Sequence, residues 1–156
     1  MLKSKRGFTL IELLVVIGIL AILLAITLIA INPARQFAQA NDTRQRSDIL
    51  QILNAVHQYV AENGGKMPPA VVGLTIDVPK EIGGDVATQA DLCPDIMGAT
   101  GKYIPALPVM PDITTGNVTV CNTTYHLGYT IAKDANNRIT IAGGNDVNTK
   151  PITVTR

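Results

Sequence analysis

At 156 residues the chain has room for one ordinary domain at most. Apolar side chains make up 47% and charged ones only 16%, so the apolar content must be concentrated in one segment. The formal net charge of +1 includes Lys3, Lys5 and Arg6; without residues 1–7, ten basic side chains (thirteen less three) face twelve acidic ones, which excludes an electrostatic case for nucleic-acid binding.

The concentrated segment lies at the N-terminus. From Phe8 to Ile31 the only charge is Glu12, and a helix of that length measures about 36 Å, enough to cross a hydrocarbon core of roughly 30 Å. A cytoplasmic soluble enzyme is thereby excluded. The basic residues before the span predict a cytoplasmic N-terminus and place everything after Ile31 outside the cytoplasm. The span is longer than the core of a secretory signal peptide, and Asn32-Pro33-Ala34-Arg35 follows it in place of a small-residue cleavage site. By hydropathy alone, an uncut signal anchor fits equally well.

A lone carboxylate in such a span is costly, roughly 2.5 to 3.5 kcal/mol if deep and less near the interface, so Glu12 is a functional candidate. The stretch Gly7-Phe8-Thr9-Leu10-Ile11-Glu12 closely resembles the processing site of type IV prepilins and pseudopilins. The resemblance implies cleavage after Gly7 by a membrane-embedded aspartyl prepilin peptidase, N-methylation of Phe8, and a leader, residues 1–7, that stays on the cytoplasmic side. It also implies that Glu12 meets the N-terminal amine of a neighbouring subunit during assembly. An ammonium and a carboxylate attract strongly where the dielectric is low, and either alone is expensive to bury. Within one chain Phe8 and Glu12 are four residues apart, so a helical pair inside the subunit is the competing arrangement.

Beyond the span, Ile49, Ile52, Leu53, Val56, Tyr59 and Val60 recur at spacings of three and four, with Asp48, Gln51, Gln58 and Glu62 read mostly onto the opposite face. This predicts an amphipathic helix ended by Gly64-Gly65 and Pro68-Pro69. One long helix from Phe8 to Asn63 is expected, bent at Pro33; a full break there with a short linker is the competing reading. The charged stretch Arg35, Asp42, Arg44, Arg46 and Asp48 reads as a solvated face, with specific subunit contacts as the alternative.

From Lys66 onward, short apolar runs broken by Gly, Pro, Asp and Asn suggest loops and a small antiparallel sheet. Tyr125, Leu127, Tyr129 and Ile131 alternate, Asp134-Ala135-Asn136-Asn137 offers a turn, and Ile139 and Ile141 alternate on the return. Val118 and Val120 suggest a preceding strand, Ile152 and Val154 a last one. The fold class is therefore α+β: a long N-terminal helix, membrane-spanning then amphipathic, packed on a small antiparallel sheet. Residues 1–7 form the leader, 8–31 the span, 32–63 the helix continuation and 64–156 the head.

Cys93 and Cys121 fall on the exported side. A disulfide between them would restrain a loop of about 29 residues; free thiols are the alternative, and the spacing is not a zinc pattern. No Ser-His-carboxylate arrangement stands out: His57 falls at the edge of the packed helix face, and His126 points away from Tyr125 and Leu127. Asp134, Asn136, Asn137, Asn145 and Asp146 read as turn residues and match no calcium loop; no metal or cofactor is expected. Asn41-Asp42-Thr43, Asn117-Val118-Thr119 and Asn122-Thr123-Thr124 fit the glycan acceptor pattern.

The resemblance implies a structural, non-enzymatic subunit of a type IV pilus filament. The partners implied by the resemblance are other copies of the chain, prepilin peptidase, an inner-membrane platform protein with its assembly ATPase, and membrane lipid before assembly. The precursor would be a single-pass membrane protein and the assembled form a cell-surface filament. A major pseudopilin of type II secretion is the nearest alternative, and a membrane-anchored binding protein or minor tip adhesin a further one.

Overall fold

The computed structural model describes residues 7–98, 102–114 and 116–156. The basic cluster Lys3, Lys5 and Arg6 and the rest of the leader before Gly7 lie outside the described residues. The chain divides between Phe37 and Ala38 into two units, and each is described by itself.

The first unit holds helix α1, Leu10–Ala30. It is opened by Thr9, which takes extended backbone angles as the N-cap, and closed by the extended Ile31. Helix α2, Pro33–Glu62, begins two residues after Ile31. At Pro33 the structure has the break and not the expected bend. Proline disfavours helical angles at the residue before it, so Asn32 leaves the helix and Pro33 takes the first helical position, where its missing N–H is not needed. Asn32 then caps α2, its Oδ1 accepting the Arg35 N–H at 3.2 Å.

In the second unit the later part of α2 presents Ile49, Ile52, Leu53, Ala55 and Val56 to the core, all buried, as the three-and-four spacing predicts. Fully burying each of the larger ones contributes about 1.5 to 3 kcal/mol. The helix ends at Glu62, and the Gly65 N–H donates to the Val60 carbonyl at 2.9 Å, the reverse-turn closure expected of the glycine pair.

Four antiparallel strands follow in the order β1-β2-β3-β4: Lys80–Gly83, His126–Lys133, Ile139–Asn145 and Pro151–Thr155. Leu127, Tyr129 and Ile131 from β2, Ile139 and Ile141 from β3, and Ile152 from β4 join the α2 residues in one core. The strand preceding the terminal hairpin is β1, not Val118–Val120. Val118 makes only an isolated bridge to Leu107, and Val120 is exposed. The outer edge of β1 is covered by the chain around Ala90, whose N–H donates to the Glu81 carbonyl at 2.7 Å, which shields the edge from pairing with another chain.

Asp48 departs from its expected place. It is 6% exposed and lies on the core side of α2, where its Oδ2 accepts the Tyr129 hydroxyl at 3.0 Å. Gln45 is also buried, and its Oε1 accepts the Gly144 N–H at 3.0 Å; Asp42 accepts the Val147 N–H at 2.9 Å. A polar seam thus ties α2 to β2 and to the far end of β3. Buried polar groups require such partners. Gly143 permits the close approach, since a Cβ there would stand 2.8 Å from Gln45 Oε1.

Candidate functional site

Gly7 and Phe8 precede α1 and are exposed, Phe8 at 89%. Thr9 and Glu12 form a reciprocal capping box. The Thr9 Oγ1 accepts the Glu12 N–H at 3.3 Å, and Glu12 Oε2 accepts both the Thr9 N–H at 2.8 Å and the Thr9 hydroxyl at 2.7 Å. Among the described residues, the hydrogen bonds to this carboxylate all end on Oε2. In the uncut chain Phe8 and Thr9 stand ahead of the helix, which starts at Leu10. Thr9 was legible as a partner: Thr-x-x-Glu before an apolar run is the sequence signature of this cap.

None of the 21 residues of α1 is buried. At about 1.5 Å per residue the helix measures about 32 Å and satisfies the length and apolarity needed to cross a membrane. Phe8, Glu12, Leu13, Val16 and Ile17 line a shallow groove along one side of it. So large an apolar surface requires lipid or other helices around it.

Residues 2–28 match the family model described as the prokaryotic N-terminal methylation motif. This is the signature of type IV pilins and pseudopilins. The matched stretch contains Gly7, Phe8, Thr9 and Glu12 together with nearly all of α1. The family is one of structural subunits, and its motif implies a membrane-anchored precursor, processing by prepilin peptidase and assembly into filaments. No curated protein and no solved structure matches the chain.

In the second unit Cys93 and Cys121 form a disulfide, with Cα atoms 5.6 Å apart. Cys93 is fully buried and opens a one-turn π-helix, Cys93–Met97. The Tyr125 hydroxyl fixes that turn: it donates to Asp91 Oδ1 at 2.7 Å and accepts the Cys93 N–H at 3.2 Å.

The oxygen donors of the last hairpins serve their own turns. Asp134 accepts the N–H groups of Asn136 and Arg138 and pairs with the Arg138 guanidinium at 2.6 Å. Asp146 accepts those of Asn148 and Lys150. Bonds from Arg138 hold Asp134, and bonds from Lys150 hold Asp146, below the usual carboxylate range. Burial acts oppositely on Asp48 and raises its pKa, against the Tyr129 hydrogen bond and the Arg44 charge.

The two histidines stand on different elements. His57, half-buried on α2, has a buried Nε2 without a hydrogen-bond partner. His126, exposed on β2, bonds Glu81 on β1 through Nδ1 at 2.7 Å.

Proposed function

We propose that the chain is the major subunit of a type IV pilus-type filament, made as a precursor and cut after Gly7. Hydrolysis of the Gly7–Phe8 bond leaves a carboxylate on Gly7 and a primary amine, protonated at neutral pH, on Phe8. The amine is then methylated. The observation that carries this reading is a 21-residue helix with no buried residue, preceded directly by Gly7-Phe8-Thr9 and bearing Glu12 as its one charge.

Before assembly, α1 is the membrane anchor. In the filament the same surface packs among the α1 helices of neighbouring subunits, and residues 64–156 form the exposed head. Residues 1–7 are the leader, 8–31 the span and 32–63 its continuation. The charge created at Phe8 meets Glu12 of a neighbour. In surroundings of low dielectric that pairing favours one axial register, because a subunit out of register leaves two unpaired charges. The platform protein and assembly ATPase of such systems are the expected machinery.

Mass spectrometry of the N-terminus, in material sheared from cells and in membranes, tests the reading. N-methylated Phe8 in sheared fibres is the expected result. N-methylated Phe8 confined to the envelope would instead favour a pseudopilus subunit of type II secretion. A chain still beginning at Met1 or Leu2 would be an uncut anchor and would overturn the proposal.

A further inference from the structure

We infer that Thr9 is a positioning residue for assembly, holding the Glu12 carboxylate by one oxygen so that the other is free for a neighbour's ammonium. The inference rests on the proposed pairing of Glu12 between subunits.

Each carboxylate oxygen offers about two acceptor positions. Glu12 Oε2 receives both Thr9 donors, the N–H at 2.8 Å and the hydroxyl at 2.7 Å, which leaves Oε1 as the oxygen able to take a new cation. The carboxylate is thereby turned back toward the N-terminal end of α1, the end at which cleavage creates the amine. Both donors lie on the C-terminal side of the Gly7–Phe8 bond. The Thr9 N–H is an amide before and after the cut, and methylation of Phe8 does not touch it.

Cleavage makes this clamp more important. It sets a positive charge one residue before the N-cap, beside the positive end of the helix macrodipole, where a cation is unfavourable. A first-turn carboxylate offsets that charge if it stays at the helix end. An unclamped glutamate could instead extend along the apolar helix surface, with its charge unpaired.

The experiment uses the full chain in cells carrying the processing and assembly machinery. Thr9→Val removes the hydroxyl at nearly constant shape, Thr9→Ser restores it, and Glu12→Gln keeps a side chain that can close the capping box but removes its charge. For each variant, N-terminal mass reports cleavage, membrane level reports insertion and sheared protein reports assembly. Amide hydrogen exchange of the processed chain in detergent micelles reports the first turn of α1.

Thr9→Val is expected to be cut and inserted normally, to exchange its first-turn amides about fivefold faster, and to yield several-fold less filament. Thr9→Ser is expected to recover both properties. Glu12→Gln should keep the slow exchange yet lose filaments, and adding Thr9→Val should lower the yield no further. Wild-type filament yield from Thr9→Val, failure of Thr9→Ser to restore it, or an uncut Thr9→Val chain would overturn the role of Thr9 and leave the pilin reading intact. Wild-type filaments from Glu12→Gln would overturn the pairing itself and this inference with it.

Discussion

Tyr129 donates its hydroxyl to the carboxylate of Asp48 across 3.0 Å, joining a strand to a helix position 81 residues earlier. The bond ties the outer helix to the middle of the sheet at a point where both side chains are buried. Burial disfavours the charged form of each group, raising the pKa of both.

Tyr129→Phe keeps the ring and removes the donor, leaving a buried carboxylate with Arg44 as its remaining partner at 3.9 Å. A loss of about 1.5 to 3 kcal/mol is expected, read as a lower urea midpoint with unchanged m-value for the detergent-solubilised chain. An unchanged midpoint would show that the bond contributes nothing net.

The raised pKa of Asp48 carries a definite sign. Its folded value lies above the ordinary 3.8, so the folded state binds the proton more readily than the unfolded one. The resulting penalty is present in full above the folded pKa and is relieved as pH falls through it toward 3.8. Asp48→Asn removes this dependence. Compared with that variant, the wild-type chain is expected to gain stability as pH falls from neutrality toward 3.8, measured by urea midpoints along that range; a relative loss would contradict the burial argument. Asp134 and Asp146, with lowered values, act the other way, and their contribution disappears as pH falls below the usual carboxylate range.

Gly143→Ala sets a methyl 2.8 Å from Gln45 Oε1 and 3.3 Å from the Tyr129 ring. Gln45 cannot yield without releasing the Gly144 N–H. The expected loss is about 1 to 3 kcal/mol, and it should shrink in a Gln45→Ala background, where the obstructing atom is gone. Full additivity of the two substitutions in denaturation would rule out the clash.

Reduction of Cys93–Cys121, or replacement of both by alanine, frees a segment 28 residues apart in sequence. The loop-entropy model gives a loss of about 3 to 4 kcal/mol, and thermal unfolding with and without reductant measures it.

At the processing site, Gly7 replaced by a bulky residue should leave a full-length membrane protein. Glu12→Val should be inserted and cut, yet absent from sheared fibres. A normally shortened Gly7 variant on a gel, or normal fibres from Glu12→Val, would refute the corresponding assignment.

Much of this architecture is legible in the sequence, and the exceptions have physical reasons. The apolar span, the face of Ile49 to Val56 and the hairpin around Asp134 each repeat with the period of their element, so local pattern sufficed. The local pattern puts Asp48 on the solvent face, where a carboxylate is ordinary; its burial depends on Tyr129, far along the chain. Strand β1 has only Lys80, Glu81, Ile82 and Gly83, too few apolar positions to alternate, and exists by pairing with β2. Val118 and Val120 alternate, yet only Val118 finds a partner, Leu107. At the candidate site Gly7, Phe8, Thr9 and Glu12 stand together in sequence, whereas the bond between Thr9 and Glu12 depends on where the helix begins.

The interruption at Ile31 and Asn32 acts as a depth gauge. Where α1 stops, the carbonyls of its last turn lose their helical donors, and such groups are tolerated in water but expensive in lipid. The helix can sink no further than that point without stranding them. The far limit of α1 in a membrane would therefore be set by hydrogen bonding as well as by hydropathy, and inserting or deleting a helical turn before Asn32 would lengthen or shorten the helix by about 5 Å.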